Sequence, residues 1–161
     1  MHESGLTKRD LAEKLAVILS DVVNYKFTAH GYHWNVKGPN FPQFHKFFGK
    51  LYEDAEGSVD TFGESIRTLG YDAPQTLTDF MSMACMESRI VAGDPIQMSL
   101  ELYGHNAHIR ECLLVAFEMC SALNQQGIAN FLAERIGVHE KFMWQLSTIA
   151  GLDSTSISDL H

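Results

Sequence analysis

Residues 7–36 read TKRDLAEKLAVILSDVVNYKFTAHGYHWNV. Leu11, Leu15, Ile18, Leu19, Val22, Val23 and Phe27 recur at spacings of three and four, the period of one helix face. Thr7 and Asp10 have the spacing of a capping box, in which each side chain bonds the other's free backbone N–H. The pattern predicts a helix from about Thr7 to Val36 that stops before Lys37-Gly38-Pro39.

The same signals repeat outward from this segment. Asn40 and Gln43 open a second helix, whose apolar face is Phe44, Phe48, Leu51, Tyr52, Val59, Phe62, Ile66 and Leu69. Gly70 stands where a left-handed C-terminal residue is wanted. A long connection, residues 71–93, follows, with a short helix expected within 78–87. Asp94-Pro95-Ile96-Gln97 is a clear helix start, a capping Asp followed by proline at the first helical position, and that helix is expected to reach Leu123. Gly127 marks a break before a last helix, Ile128 to Ala150, closed by Gly151. No alternating strand pattern competes. The fold class is all-α: one domain over residues 1–161, with short polar tails at about 1–6 and 152–161, built as a four-helix bundle with one long crossover.

Totals narrow the function. No stretch approaches the roughly 20 apolar residues that span a bilayer, and MHESGLTKRD lacks the apolar segment of a signal peptide, so a soluble cytoplasmic protein is expected. A net charge of −8 suits cations and not phosphate backbones. Cys85, Cys112 and Cys120, odd in number and without a CxxC spacing, argue against a disulfide framework and read as apolar packing. GxSxG, a glycine-rich phosphate loop and HExxH are all absent from the sequence.

The residue types left are metal ligands. Asp60 and Glu64, at i and i+4, project from one helix face, either as a solvated outer pair or as a cation site. His33 and His45 flank the first interhelical turn, with His30 close by. His45 and Asp60 lie on one helix fifteen residues apart, hence about 22 Å apart along its axis, so they cannot hold one ion within one chain. If both are ligands, two chains must meet about a two-fold axis. Glu53, Asp54 and Glu56 lie between them, as a solvated acidic face or, in a hollow shell, an inner surface that gathers iron.

His33-Trp34-Asn35-Val36-Lys37-Gly38, then Phe41, His45, Asp60 with Glu64, and Leu69-Gly70 resemble the signature of the Dps family, mini-ferritins of the ferritin-like superfamily, and Lys141-Phe142-Met143-Trp144 is also similar. The resemblance covers nearly the whole chain. It implies a ferritin-like bundle, a homo-oligomer of twelve subunits, and ferrous iron with hydrogen peroxide or dioxygen as substrates. It further implies ferric (Fe3+) storage, with Asp60 and Glu64 from one subunit, His33 and His45 from its partner, and Trp34 beside the iron. Alternatives of other classes are a nucleoid-associated DNA-binding protein and a divalent-metal-binding shell with little ferroxidase activity.

The chain departs from the family at Gly49, where family members usually carry a ligand Asp, and at His30, where a lysine is common. His139 lies on the stripe Leu132, Ile136, His139, Phe142, Met143, Leu146, either as a satisfied core residue or as a ligand reaching over Gly49 toward Glu64 in place of the absent Asp. In the second case the site is rich in nitrogen and zinc is a competing occupant. The tails are expected to give weak or no DNA binding, since 1–10 hold Lys8 and Arg9 against Glu3 and Asp10, and 151–161 hold no Lys or Arg.

Overall fold

The expected box at Thr7 is present: Asp10 donates its N–H to the Thr7 hydroxyl and its carboxylate accepts from Thr7 N–H, starting α1, Lys8–Asn35. The structure, a computed structural model, describes residues 5–152; the tail compositions read for DNA binding lie partly outside them. α2 spans Phe41–Thr68, α3 Leu77–Met83, α4 Pro95–Ala122 and α5 Gln126–Ile149, and the described residues include no strand. Asp94 caps α4 as its sequence predicts, accepting from Ile96 and Gln97 N–H. Gly70 adopts φ +96°, the left-handed value that a residue without Cβ takes at no steric cost.

Other boundaries differ. Asn40 occupies the cap position of α2 but its side chain makes no capping bond. The short helix begins at Leu77, capped by Thr76, and ends at Met83. The α4–α5 break falls at Asn124, φ +56°, and not at Gly127, which lies in the first turn of α5. Asparagine tolerates the left-handed region better than other side-chain-bearing residues, so a glycine was not required.

α1 packs along α2 and α4 along α5; α1 also meets α4, and α3 lies on α1. This is the all-α bundle with a crossover that the helix pattern predicts. Leu15, Ile18 and Val22 of α1, Phe48 and Phe62 of α2, Leu102 and Ile109 of α4 and Leu132 of α5 are completely buried. Each such side chain contributes about 1.5–3 kcal/mol relative to exposure, which fixes the helix faces and so where the polar residues point. Phe27 leaves the predicted stripe: it is 54% exposed, on the side of α1 that carries α3. No described helix is long and apolar enough to cross a membrane.

Candidate metal centre

The α1–α2 turn brings His33 and His45 face to face, with ring centroids 3.8 Å apart and planes 16° apart. Each Nδ1 bonds the other residue's backbone oxygen: His33 Nδ1 to the His45 carbonyl, and His45 Nδ1 to the His33 carbonyl at 2.7 Å. A carbonyl only accepts, so each Nδ1 donates its proton, which leaves Nε2 as the ring nitrogen through which a neutral imidazole would bind a metal. Metal-binding histidines are held in this way, by donating the other ring N–H to a carbonyl or carboxylate.

Gly49 makes room for this arrangement. A Cβ there would sit 3.1 Å from His33 Nδ1 and 3.2 Å from Cε1. The space that an Asp would occupy at this position is taken by the His33 imidazole. His30 stacks on Tyr52 at 3.9 Å and meets the Trp34 ring at 4.1 Å, while Tyr52 meets His33 edge-on at 5.3 Å and Phe41 stacks on His45 at 5.0 Å. Loss of water, and then the neighbouring His33 and Lys26 charges, lower the His30 pKa. Trp34 is 63% exposed.

Asp60 and Glu64 share one exposed face of α2. A hydrogen bond to Asp60, followed by the Asp60 charge, raises the Glu64 carboxyl above its usual value. α2 is unbroken from His45 past Glu64, so Asp60 stands about 22 Å and Glu64 about 28 Å along the axis from His45. Within one chain the two halves do not meet: among the described residues the only three-membered group of metal-binding side chains is Asp21, Cys85 and His108, elsewhere in the fold.

His139 is a core residue, and its reach over Gly49 toward Glu64 is a correction. It is completely buried, with Nδ1 on Asn106 Oδ1 at 2.8 Å and Nε2 3.4 Å from the Arg135 guanidinium. Burial, and then the Arg135 charge, push its pKa down to about 3, so the ring is neutral. Arg135 in turn grips Asp54 through both carboxylate oxygens, at 3.1 and 2.6 Å. Asp54 therefore leaves the acidic face read from the sequence, and Glu56 pairs with Lys26 at 2.7 Å; Glu53 is exposed. These partners, the buried Asn106 and Arg135 and the half-buried Asp54, were missed in the sequence; only the tight i, i+4 spacing of Arg135 and His139 hinted at them.

The bundle interior thus holds a neutral histidine, an amide and an arginine–carboxylate pair, while the metal-binding residue types sit at two separate places on the surface.

A family model described as a ferritin-like domain matches residues 12–155. The DNA protection during starvation protein of Brevibacillus brevis is 27% identical over 143 residues, covering 86% of this chain and 96% of that protein. The fold superposes on Dps from Staphylococcus aureus with TM-score 0.87 at 23% identity, covering 92% of this chain and 100% of that one. The Dps protein of Vibrio cholerae, described as a member of a broad superfamily of ferritin-like diiron-carboxylate proteins, matches with TM-score 0.84 at 21% identity over 88% of this chain and 89% of that one.

Proposed function

The chain belongs to the ferritin-like domain family, with Dps proteins among its relatives and structural neighbours, and from that premise we propose that it is a mini-ferritin subunit. It oxidises ferrous iron at sites shared between two copies and stores the ferric product inside a closed shell of twelve. The observation that carries this reading is the split ligand set: two imidazoles locked with Nε2 free, and a carboxylate pair about 22–28 Å along the same helix. A two-fold axis that sets two α2 helices antiparallel joins His33 and His45 of one copy to Asp60 and Glu64 of the other, twice per dimer.

Assembly finds support in a separate apolar surface of the chain. A groove of about 440 Å³ beside α1 and α3 is lined by Val23, Phe27, Leu77, Phe80 and Met81, and Leu77 and Met81 are 68% and 81% exposed. A monomer gains nothing from leaving such side chains in water; a second copy covers them.

Ferrous iron is the substrate. Mixed oxygen and imidazole donors suit it, and the carboxylates favour the ferric product through charge. Two ferrous ions give one electron each to one hydrogen peroxide, which with two protons leaves as two waters. Dioxygen is the alternative oxidant. Asp60 and Glu64 anchor the iron; His33 and His45 complete the coordination; Trp34 borders the site. Zinc competes for the same imidazoles. Glu53 and Glu56 are the candidates for collecting ferric iron inside the shell, with Lys26 offsetting part of the Glu56 charge.

Co-assembly tests the split site. His33→Ala and Glu64→Gln shells should each oxidise anaerobically loaded ferrous iron slowly. Subunits of the two variants, unfolded together and refolded at equal ratio, regenerate intact sites in mixed pairs only, about a quarter of all sites. Recovery of about a quarter of wild-type activity is expected. No recovery, in shells shown to be mixed and of normal size, would place the chemistry within one chain and defeat the proposal.

A further inference from the structure

Asp21 is almost completely buried on α1, yet it is the hub of a second group of metal-binding side chains that the iron chemistry does not use. Its Oδ1 accepts from Cys85 N–H at 2.7 Å and Met86 N–H at 3.1 Å, holding the crossover connection against the helix. Its Oδ2 lies 2.9 Å from His108 Nε2. A carboxylate oxygen of Asp21, a ring nitrogen of His108 and Cys85 Sγ all lie within 4.8 Å of one another. Cys112, one helical turn after His108 on α4, places its Sγ 3.7 Å from His108 Nε2.

We propose that Asp21, Cys85 and His108, completed by Cys112, form a site for a zinc-type divalent cation that ties the crossover connection to α1 and α4. The donors number two sulfurs, one nitrogen and one oxygen, the set that four-coordinate zinc accepts and that magnesium and calcium do not. Zinc bond lengths of roughly 2.0–2.3 Å put donors around a tetrahedral ion about 3.3–3.8 Å apart. The His108–Cys112 separation already lies there, and the His108–Asp21 separation is shorter because a proton now occupies the space between nitrogen and oxygen. Binding replaces that proton and the thiol protons, which pass to solvent. Access is open, since Cys85 is exposed while Asp21 anchors the floor. A purely structural Asp21 accounts for the bonds to the Cys85 and Met86 N–H groups and to His108, but not for the Cys85 thiol within 4.8 Å of both that carboxylate and that imidazole, with the Cys112 thiol against the same imidazole.

Cobalt(II) discriminates this site from the iron site, because His33, His45, Asp60 and Glu64 offer no sulfur. Reduced, full-length protein titrated anaerobically with cobalt should develop thiolate-to-cobalt charge-transfer absorption, saturating at one ion per subunit and bleached by zinc. Cys85→Ser and Cys112→Ser should each diminish the band and weaken cobalt binding about tenfold or more, the double variant should abolish the band, and Asp60→Asn should leave it intact. Helix content measured by circular dichroism confirms that each variant is folded, and His108→Ala serves as a further ligand removal. Absence of the charge-transfer band with thiols shown to be reduced, or a band of unchanged intensity and affinity in folded Cys85→Ser and His108→Ala, would overturn the assignment.

Discussion

Adding one methyl group at Gly49 separates helix stability from ligand geometry. Glycine inside a helix is about 1 kcal/mol less favourable than alanine, so Gly49→Ala should stabilise α2 if the space were free. It is not: the new Cβ would stand 3.1 Å from His33 Nδ1 and 3.2 Å from Cε1, where ordinary contact begins near 3.4 Å. The ring must yield a few tenths of an ångström. On its far side it is stacked on His45 at 3.8 Å, and Nδ1 is tied to the His45 carbonyl. Loss of that bond costs about 0.5–1.5 kcal/mol and cancels the helix gain, so the net stability change is close to zero. Ligand orientation suffers more, and ferrous affinity should fall about 10–100-fold, the usual effect of disturbing a bond that holds a metal-binding histidine. Gly57→Ala is the control, on the same helix with nothing within 4 Å of its added Cβ, and should gain the full increment of about 1 kcal/mol. Chemical unfolding and anaerobic ferrous titration of both variants are the assays. If Gly49→Ala gains as much stability as Gly57→Ala and binds ferrous iron unchanged, Gly49 is not reserved for the His33 imidazole and the argument fails.

Asp54→Ala strands the nearly buried Arg135 guanidinium without its counter-charge and should destabilise the protein by about 3–5 kcal/mol in urea unfolding. Acid should weaken the fold through His139: its folded pKa is depressed to about 3, so its contribution is complete above about 6.5, the unfolded value, and is lost as pH falls toward 3. Between pH 7 and 5 that loss is about 2 kcal/mol. His139→Gln, whose amide can still meet Asn106, should show a correspondingly flatter stability profile between those pH values; an unchanged profile would mean that the ring is protonated in the folded protein. Assembled protein should not retard plasmid DNA at physiological salt near neutral pH, given the net charge of −8, and a gel shift under those conditions would contradict the charge argument.

Long-period signals were readable in the sequence because they are local. Thr7 with Asp10, and Asp94 with Pro95, each settle a helix start within four residues, and the structure uses both. The Asn124 break was misread as Gly127 because an asparagine in the left-handed region looks like any polar turn residue. Long-range pairings left no trace. His139 meets Asn106, which is 33 positions away, Arg135 meets Asp54, which is 81 away, and Asp21 meets His108, which is 87 away. Periodicity correctly turned His139 toward the interior but could not supply the partners that make it a core residue. The three cysteines, read together as packing, divide: Cys120 is buried, with its thiol pushed up to about 11 by desolvation, whereas Cys85 is exposed beside Asp21. Of the proposed iron ligands, the candidate residue types and the distance that rules out a one-chain site were legible from spacing, while their assignment to one site came with the family resemblance. The crossed imidazole–carbonyl bonds were not legible, because they depend on the path of the turn.

Those crossed bonds also bear on the order of events in the life of the shell. They link positions only twelve residues apart, across one short turn, so the loop they close is small and its closure entropy modest. The imidazole half of the site is consequently finished while the chain is still solitary. In the proposed shell, two subunits would therefore meet with their imidazoles already aimed, and only the approach of a second copy would be left to complete each site.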